Sequence, residues 1–216
     1  DNMAKKRISD VLIEVLANAG IERIYGITGD SLNSVNDSLR RNGKIQFEHV
    51  RHEESAAFAA GAEALLTGKL TVCAGSSGPG NLHLINGLFD CHRNRVPVLA
   101  IASHIPQSEV GLNYFQETHP ENLFKECSCF CELVSNPKQM PEILFRAMNA
   151  AVGNRDVAVI VLPGDVAVME TEIDELPTWH APKLPRVIPQ SEDILEMVQH
   201  INNGKRITLF CGAGSS

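Results

Sequence analysis

The sequence predicts an α/β fold: a parallel sheet flanked by helices on both faces. Three observations carry this. Strand-like and helix-like stretches alternate along most of the 216 residues, the pattern of successive βα units. Residues 96–102 and 157–162 are almost continuously apolar, as strands are when helices cover both sides. Glycine-rich turns at 26–31 and 75–80 follow predicted strands, and in such folds ligands sit at the carboxyl ends of strands.

The elements follow in order. Ile8, Leu12, Val15, Leu16 and Ala19 form a helical stripe, with Ser9 as its cap and Gly20 as its stop. Residues 23–27 read as a short strand, 32–40 as a helix, 46–50 as a strand and 53–66 as a helix. A strand at 70–74 leads into the second glycine-rich turn and a helix through Asp90. After the apolar strand at 96–102, residues 130–134 read as a strand. Ile143, Leu144, Ala147, Met148 and Ala151 mark an amphipathic helix over 139–152. The strand at 157–162 completes a first domain, residues 1–168.

Beyond it the texture changes. Pro177, Pro182, Pro185 and Pro189 among scattered charges predict an extended linker over 169–190. Residues 191–203 then predict a capped helix and 206–211 a strand ending in Gly212-Ala213-Gly214. This reads as the truncated start of a second α/β domain, 191–216, so the chain reads as a fragment. Asp1-Asn2 ahead of Met3 read as a vector remnant.

Composition excludes more than it identifies. A chain that is 44% apolar and 21% charged can bury a sizeable core. No stretch is apolar for long enough to span a bilayer and no signal pattern opens the chain, so a cytoplasmic protein is expected. The net charge of −7 leaves no basic excess for a nucleic-acid backbone. The six cysteines, Cys73, Cys91, Cys127, Cys129, Cys131 and Cys211, read as free thiols. Cys127-x-Cys129-x-Cys131 lacks the two-residue spacing and second ligand pair of a zinc knuckle. In a strand the three sulfurs share one face as small buried side chains, and no metal ligands are assigned on this chain.

Three loops at strand ends can carry chemistry. In Gly26-Ile27-Thr28-Gly29-Asp30-Ser31 the glycines let the backbone approach a ligand, and Asp30 or Ser31 can cap the next helix. A plain tight turn explains these residues equally well. Arg51-His52-Glu53-Glu54 opens a helix, where acids are favoured by the dipole. The run from Ser55 to Ala64 that follows is nearly all small residues, suited to close packing against another element or subunit. A carboxyl group at the mouth of such a helix is poorly solvated, and burial favours its protonated form, which suits a general acid. Gly75-Ser76-Ser77-Gly78-Pro79-Gly80-Asn81-Leu82-His83 lacks the Gly-Lys-Ser/Thr of a nucleotide-triphosphate loop. Its rigid Gly-Pro-Gly turn presents backbone groups in a fixed direction, suited to a flat heterocycle.

Taken together these loops, with Tyr114-Phe115-Gln116-Glu117-Thr118-His119-Pro120, resemble the N-terminal pyrimidine-binding domain of thiamin-diphosphate enzymes. The likeness runs over nearly the whole chain and is greatest to the pyruvate oxidase and quinone-dependent pyruvate dehydrogenase group. The resemblance implies that Glu53 contacts N1' of the aminopyrimidine and shares a proton with it. It places Gly78, Pro79, Gly80 and Asn81 along the pyrimidine. His83 lies nearby or is a packing histidine. Gly29, Asp30 and Ser31 form a wall of the substrate pocket with Gln116, and Phe115 sits between thiamin and flavin or is plain core. Glu54 receives no catalytic role. Gly212 and Gly214 resemble the start of a domain that binds flavin adenine dinucleotide (FAD).

In that family a separate domain holds the diphosphate and its Mg2+ through a Gly-Asp-Gly stretch, and Gly164-Asp165-Val166 is not that stretch. Each site joins domains of two subunits. The resemblance therefore implies a homo-oligomer and a fragment inactive alone. The implied activity is oxidative decarboxylation of pyruvate, with electrons passing through FAD to quinone or oxygen. Membrane contact would come only through a C-terminal region beyond Ser216. An acetolactate synthase or related decarboxylase, and a non-catalytic interaction module, are the other readings.

Overall fold

The computed structural model describes residues 5–173, 176 and 178–212. The chain divides into two compact units, residues 1–182 and 183–216. In the first, β1 (Lys5–Arg7) leads into α1 (Ile8–Asn18), and β2 (Arg23–Gly26) into α2 (Asn33–Asn42). Next come β3 (Gln46–His49), α3 (Glu53–Thr67), β4 (Thr71–Gly75), α4 (Pro79–Arg93) and β5 (Val98–His104). A one-turn α5 (Pro120–Leu123) precedes β6 (Phe130–Leu133), α6 (Met140–Asn154) and β7 (Val157–Pro163). The short α7 (Gly164–Val168) and β8 (Glu170–Glu172) close the unit.

Six strands form one parallel sheet in the order β3-β2-β4-β5-β7-β6, with Cys73 opposite Ala100 and Ala102 opposite Val161. Side chains alternate between its faces, and both faces are buried. Leu99, Ile101, Ala158 and Ile160 point to one core with Leu12, Leu16, Leu144 and Met148 of α1 and α6. Val98, Ala100, Val157 and Val159 point to the other with Ala56, Ala60, Leu84 and Leu88 of α3 and α4. That is why 96–102 and 157–162 are apolar without alternation. The small residues of α3 serve its packing on α4, where Cys91 Sγ donates to the Ala57 carbonyl at 3.3 Å.

Several local expectations are corrected. Ser9 is no cap: it lies inside α1, buried, with its hydroxyl 3.0 Å from that of Ser38. The open first turn is met by backbone instead, the Ile8 amide donating to the Met169 carbonyl at 2.9 Å. The region read as linker begins as part of the first unit. Glu170–Glu172 pairs antiparallel with Lys5–Arg7, and Trp179 is buried with its indole nitrogen donating to Asn149 Oδ1 at 2.9 Å. Cys127, Cys129 and Cys131 do not share a face. Cys127 is buried, Cys129 exposed, and their thiols meet the separate carbonyls of Phe124 and Ala150.

In the second unit α8 (Ser191–Asn203) forms over the range read but without a side-chain cap, whereas 206–211 is not a strand. A strand needs a ladder partner, and none of the described residues of this unit supplies one. No helix among the described residues is long and apolar enough to cross a membrane.

Candidate functional site

Sheet order places the site. From β2 the chain moves outward to β3, then returns to β4 on β2's other side and continues to β5. The crevice between the carboxyl ends of β2 and β4 is a topological switch point, where ligands bind in open α/β sheets. The two glycine-rich turns leave the sheet there. A cavity of about 580 Å³ opens between them, lined by Gly29, Asp30, Ser31, Pro79, Gly80 and Gln116 among others.

The turns are tied to each other. A Cβ on Gly29 would collide with the side chain of Ser76, so glycine lets the loops approach. Ser31 is not a helix cap: its hydroxyl lies 3.0 Å from Ser76 Oγ and accepts the Ser77 amide at 2.9 Å. The turn into α2 is made by Asp30–Leu32, with Asn33 Nδ2 donating to Asp30 Oδ1 at 3.0 Å. Ser77 Oγ donates to Gln116 Oε1 at 3.2 Å. Gly78 has φ 66° and ψ −113°, a region for glycine, and a Cβ there would lie 2.8 Å from Gln116 Cβ. Gln116 is itself at φ 66°. Its loop is clamped by the Glu117 carboxylate, which accepts the Gly111 and Tyr114 amides. Those bonds hold the Glu117 carboxyl below its ordinary pKa. Phe115 stands on the same loop at the cavity rim, 78% exposed.

Glu53 is the first residue of α3, lines the cavity and is 7% exposed. One carboxylate oxygen, Oε2, lies 3.0 Å from His83 Nδ1; Oε1 faces the backbone of Gly80, where an added Cβ would be 3.3 Å away. His52 caps α3 by accepting the Glu54 amide on Nδ1 at 3.2 Å, and its ring stacks on His83 with centroids 4.3 Å apart. Glu54 turns aside to accept from Asn86 Nδ2. The sequence assigned no metal ligands, yet the fold brings ligand atoms of His52, Glu53 and His83 within 4.8 Å of one another.

Of the remaining anticipated residues, Asn81 is fully buried, donates to the Ser103 carbonyl at 2.8 Å, and holds α4 against β5. His83 meets Glu53 and is not among the residues that line the cavity. Gly212 lies in the second unit, and Gly214 falls outside the described residues. Sequence reasoning missed His104, the last residue of β5. It lines the cavity at 4% exposure, its Nδ1 is buried without a partner, and burial pushes its pKa down. Its place at the carboxyl end of a fully buried strand was the available signal. Ser76 and Ser77 were missed as a clamp because their partner, Ser31, is distant in sequence.

A parallel sheet with a buried acid and a glycine-lined cavity at its switch point defines a ligand-binding α/β domain. Its family follows from comparison. The family model described as "Thiamine pyrophosphate enzyme, N-terminal TPP binding domain" matches residues 6–123, and the chain belongs to that family. An uncharacterized 42.6 kDa protein of Pseudomonas amyloderamosa is 59% identical over 98% of this chain and 54% of its own length. The pyruvate oxidase of Lactiplantibacillus plantarum is 32% identical over 94% of this chain and 34% of its own. Acetolactate synthase 3 of Brassica napus is 29% identical over 96% of this chain and 32% of its own. The chain thus spans about half the length of the first relative and about a third of the others.

Proposed function

We propose that this chain holds the aminopyrimidine of thiamin diphosphate in an enzyme that oxidatively decarboxylates pyruvate, with electrons passing through FAD to quinone or oxygen. The observation that carries the cofactor reading is Glu53, a carboxylate buried to 7% exposure on the wall of the switch-point cavity. The residues present fit a flat heterocycle. Gly29 and Gly80 expose backbone where a Cβ would collide with Ser76 or crowd Glu53, and the cavity's lining offers hydroxyls, two amides and an imidazole. The cofactor, when bound, supplies the carbanion chemistry and electron sink that decarboxylation of a 2-keto acid needs.

The chain's own part is positional and protonic. Glu53 would hold a ring nitrogen and exchange one proton with it, its carboxylate oriented by the His83 ring at 3.0 Å. Gly78, Pro79 and Gly80 would form the face against which the ring lies. Gln116, fixed by Ser77, and His104, whose Nδ1 has no hydrogen-bond partner, would present hydrogen-bonding groups toward the substrate. Among the described residues no cavity-lining side chain is Lys or Arg, so this chain's own share of the pocket would offer the keto acid's carboxylate neutral donors. Magnesium would be held elsewhere, since a hard cation prefers an all-oxygen site to imidazoles. In the second unit the described residues outside the helix have no regular secondary structure.

The oxidase reading is supported by the 32% identity to a pyruvate oxidase, and the 29% identity to an acetolactate synthase favours the second reading almost equally. Exposed Phe58, Leu65 and Leu66 on α3 and Leu82 on α4 support assembly into a homo-oligomer, the arrangement that completes the pocket. A cytoplasmic location belongs to the same proposal, with any membrane contact made outside this chain. The deciding experiment uses the full-length protein with flavin, thiamin diphosphate and Mg2+ under anaerobic conditions. Pyruvate should bleach the flavin absorbance of the wild type and not of Glu53→Gln. Pyruvate consumed without bleaching would favour acetolactate synthase or another decarboxylase. No consumption would favour a binding module.

A further inference from the structure

We propose that His52, Glu53 and His83 form a binding site for one divalent ion of the zinc class (Zn2+, Co2+ or Ni2+), which excludes the cofactor from Glu53. The site rests on geometry and ligand chemistry. Their ligand atoms lie within 4.8 Å of one another, and the His83 Nδ1 to Glu53 Oε2 pair is already at 3.0 Å. Tetrahedral zinc with bonds of about 2.0–2.1 Å needs ligand atoms roughly 3.4 Å apart. One pair is therefore at ligating separation, and the half-exposed His52 closes the rest by a small side-chain adjustment.

The donor set is the right kind. Two imidazoles and a carboxylate suit borderline transition ions, whereas magnesium and calcium favour oxygen ligands. The two rings stack with centroids 4.3 Å apart and 24° between planes, so both are held beside the same carboxylate. Ligation through His52 Nε2 would put the ring proton on Nδ1, so the bond Nδ1 accepts from the Glu54 amide at 3.2 Å would give way to donation by Nδ1. Glu54 Oε2 lies 3.8 Å from His52 Nδ1 and adds negative potential. The site is reachable: the side chains of His52 and His83 are each 46% exposed, while Glu53 forms its floor. Three protein ligands leave a fourth position for water. The ion would take the place of the hydrogen bond between His83 Nδ1 and Glu53 Oε2.

Exclusion of the cofactor rests on the function proposed above; ion binding does not. The test uses the chain with Cys129→Ser and Cys211→Ser, which removes the two exposed thiols, and Co2+ alone as a visible-absorbance probe. The expected result is one Co2+ per chain at micromolar ion, displaced by Zn2+. His52→Ala and His83→Ala should each weaken binding by about tenfold or more, and His92→Ala should not. Circular dichroism checks folding, and His83→Gln replaces His83→Ala if that variant fails to fold. Absence of Co2+ binding, or equal affinity in the His52 and His83 variants, overturns the site. In the full-length protein, Zn2+ should weaken thiamin diphosphate binding at least about tenfold, and less so in His52→Ala; undiminished cofactor binding overturns the exclusion. A protein that takes no cofactor even without ion, yet keeps the Co2+ bands, overturns the thiamin reading and sustains the ion site.

Discussion

The Ser77 amide donates to the Ser31 hydroxyl at 2.9 Å, joining the turn after β2 to the turn after β4. This bond and the Ser31–Ser76 contact at 3.0 Å close the two loops over the sheet's switch point. The cavity wall is therefore made by residues far apart in the chain.

Ser31→Ala should lower stability by about 1–3 kcal/mol, the cost of leaving the buried Ser77 amide without an acceptor. Urea denaturation of the chain measures it. A change near zero would mean that water satisfies the amide.

Gly78→Ala should destabilise the turn and displace Gln116. The backbone there, φ 66° and ψ −113°, is strained for any residue with a Cβ, at about 1–3 kcal/mol. The added carbon would also lie 2.9 Å from the Gln116 carbonyl. A thermal melt reads the stability, and proteolysis within 110–117 reads the loop; an unchanged melt would refute the strain.

Glu53→Gln keeps the size and burial of the side chain while removing its proton exchange. Activity of the full-length protein should fall about 10²–10⁴-fold, the range of a general acid–base contribution. The melting temperature should move little. Retained activity would take Glu53 out of the chemistry.

His104 should make the fold sensitive to mild acid. Burial holds its folded-state pKa below the ordinary 6.5, so the unfolded chain takes the proton first as pH falls. Stability from this group is complete above 6.5 and is lost as pH drops toward the folded-state value. His104→Gln should flatten that part of the stability-versus-pH curve. Parallel curves for wild type and variant would show that the residue is not held neutral.

The frame of the site was legible because it follows from local pattern. Glu53 is found at a strand-to-helix junction by the short strand before it and the run of small residues after it. The glycine-rich turns were visible as breaks between two periodicities, and the apolar strands β5 and β7 identify themselves. Ser9 and Ser31 were misread for one reason: a serine beside a helix start is usually a cap. Here both hydroxyls found partners across the fold, in Ser38 and in Ser76 with Ser77. Glu170–Glu172 went unread because three residues give no alternation to recognise, and their partner strand lies near the chain's other end.

The sequence by itself determined the layered α/β architecture, the position of its loops and the acid at the mouth of α3, since burial on both faces and helical periodicity are properties of neighbouring residues. Only the tertiary structure decided that Asn81 turns inward to Ser103, that His104 faces the cavity, and that His52 and His83 stack beside Glu53. Those contacts join residues on different elements. They depend on how helices settle on the sheet, and nothing in the local spacing of residues encodes that.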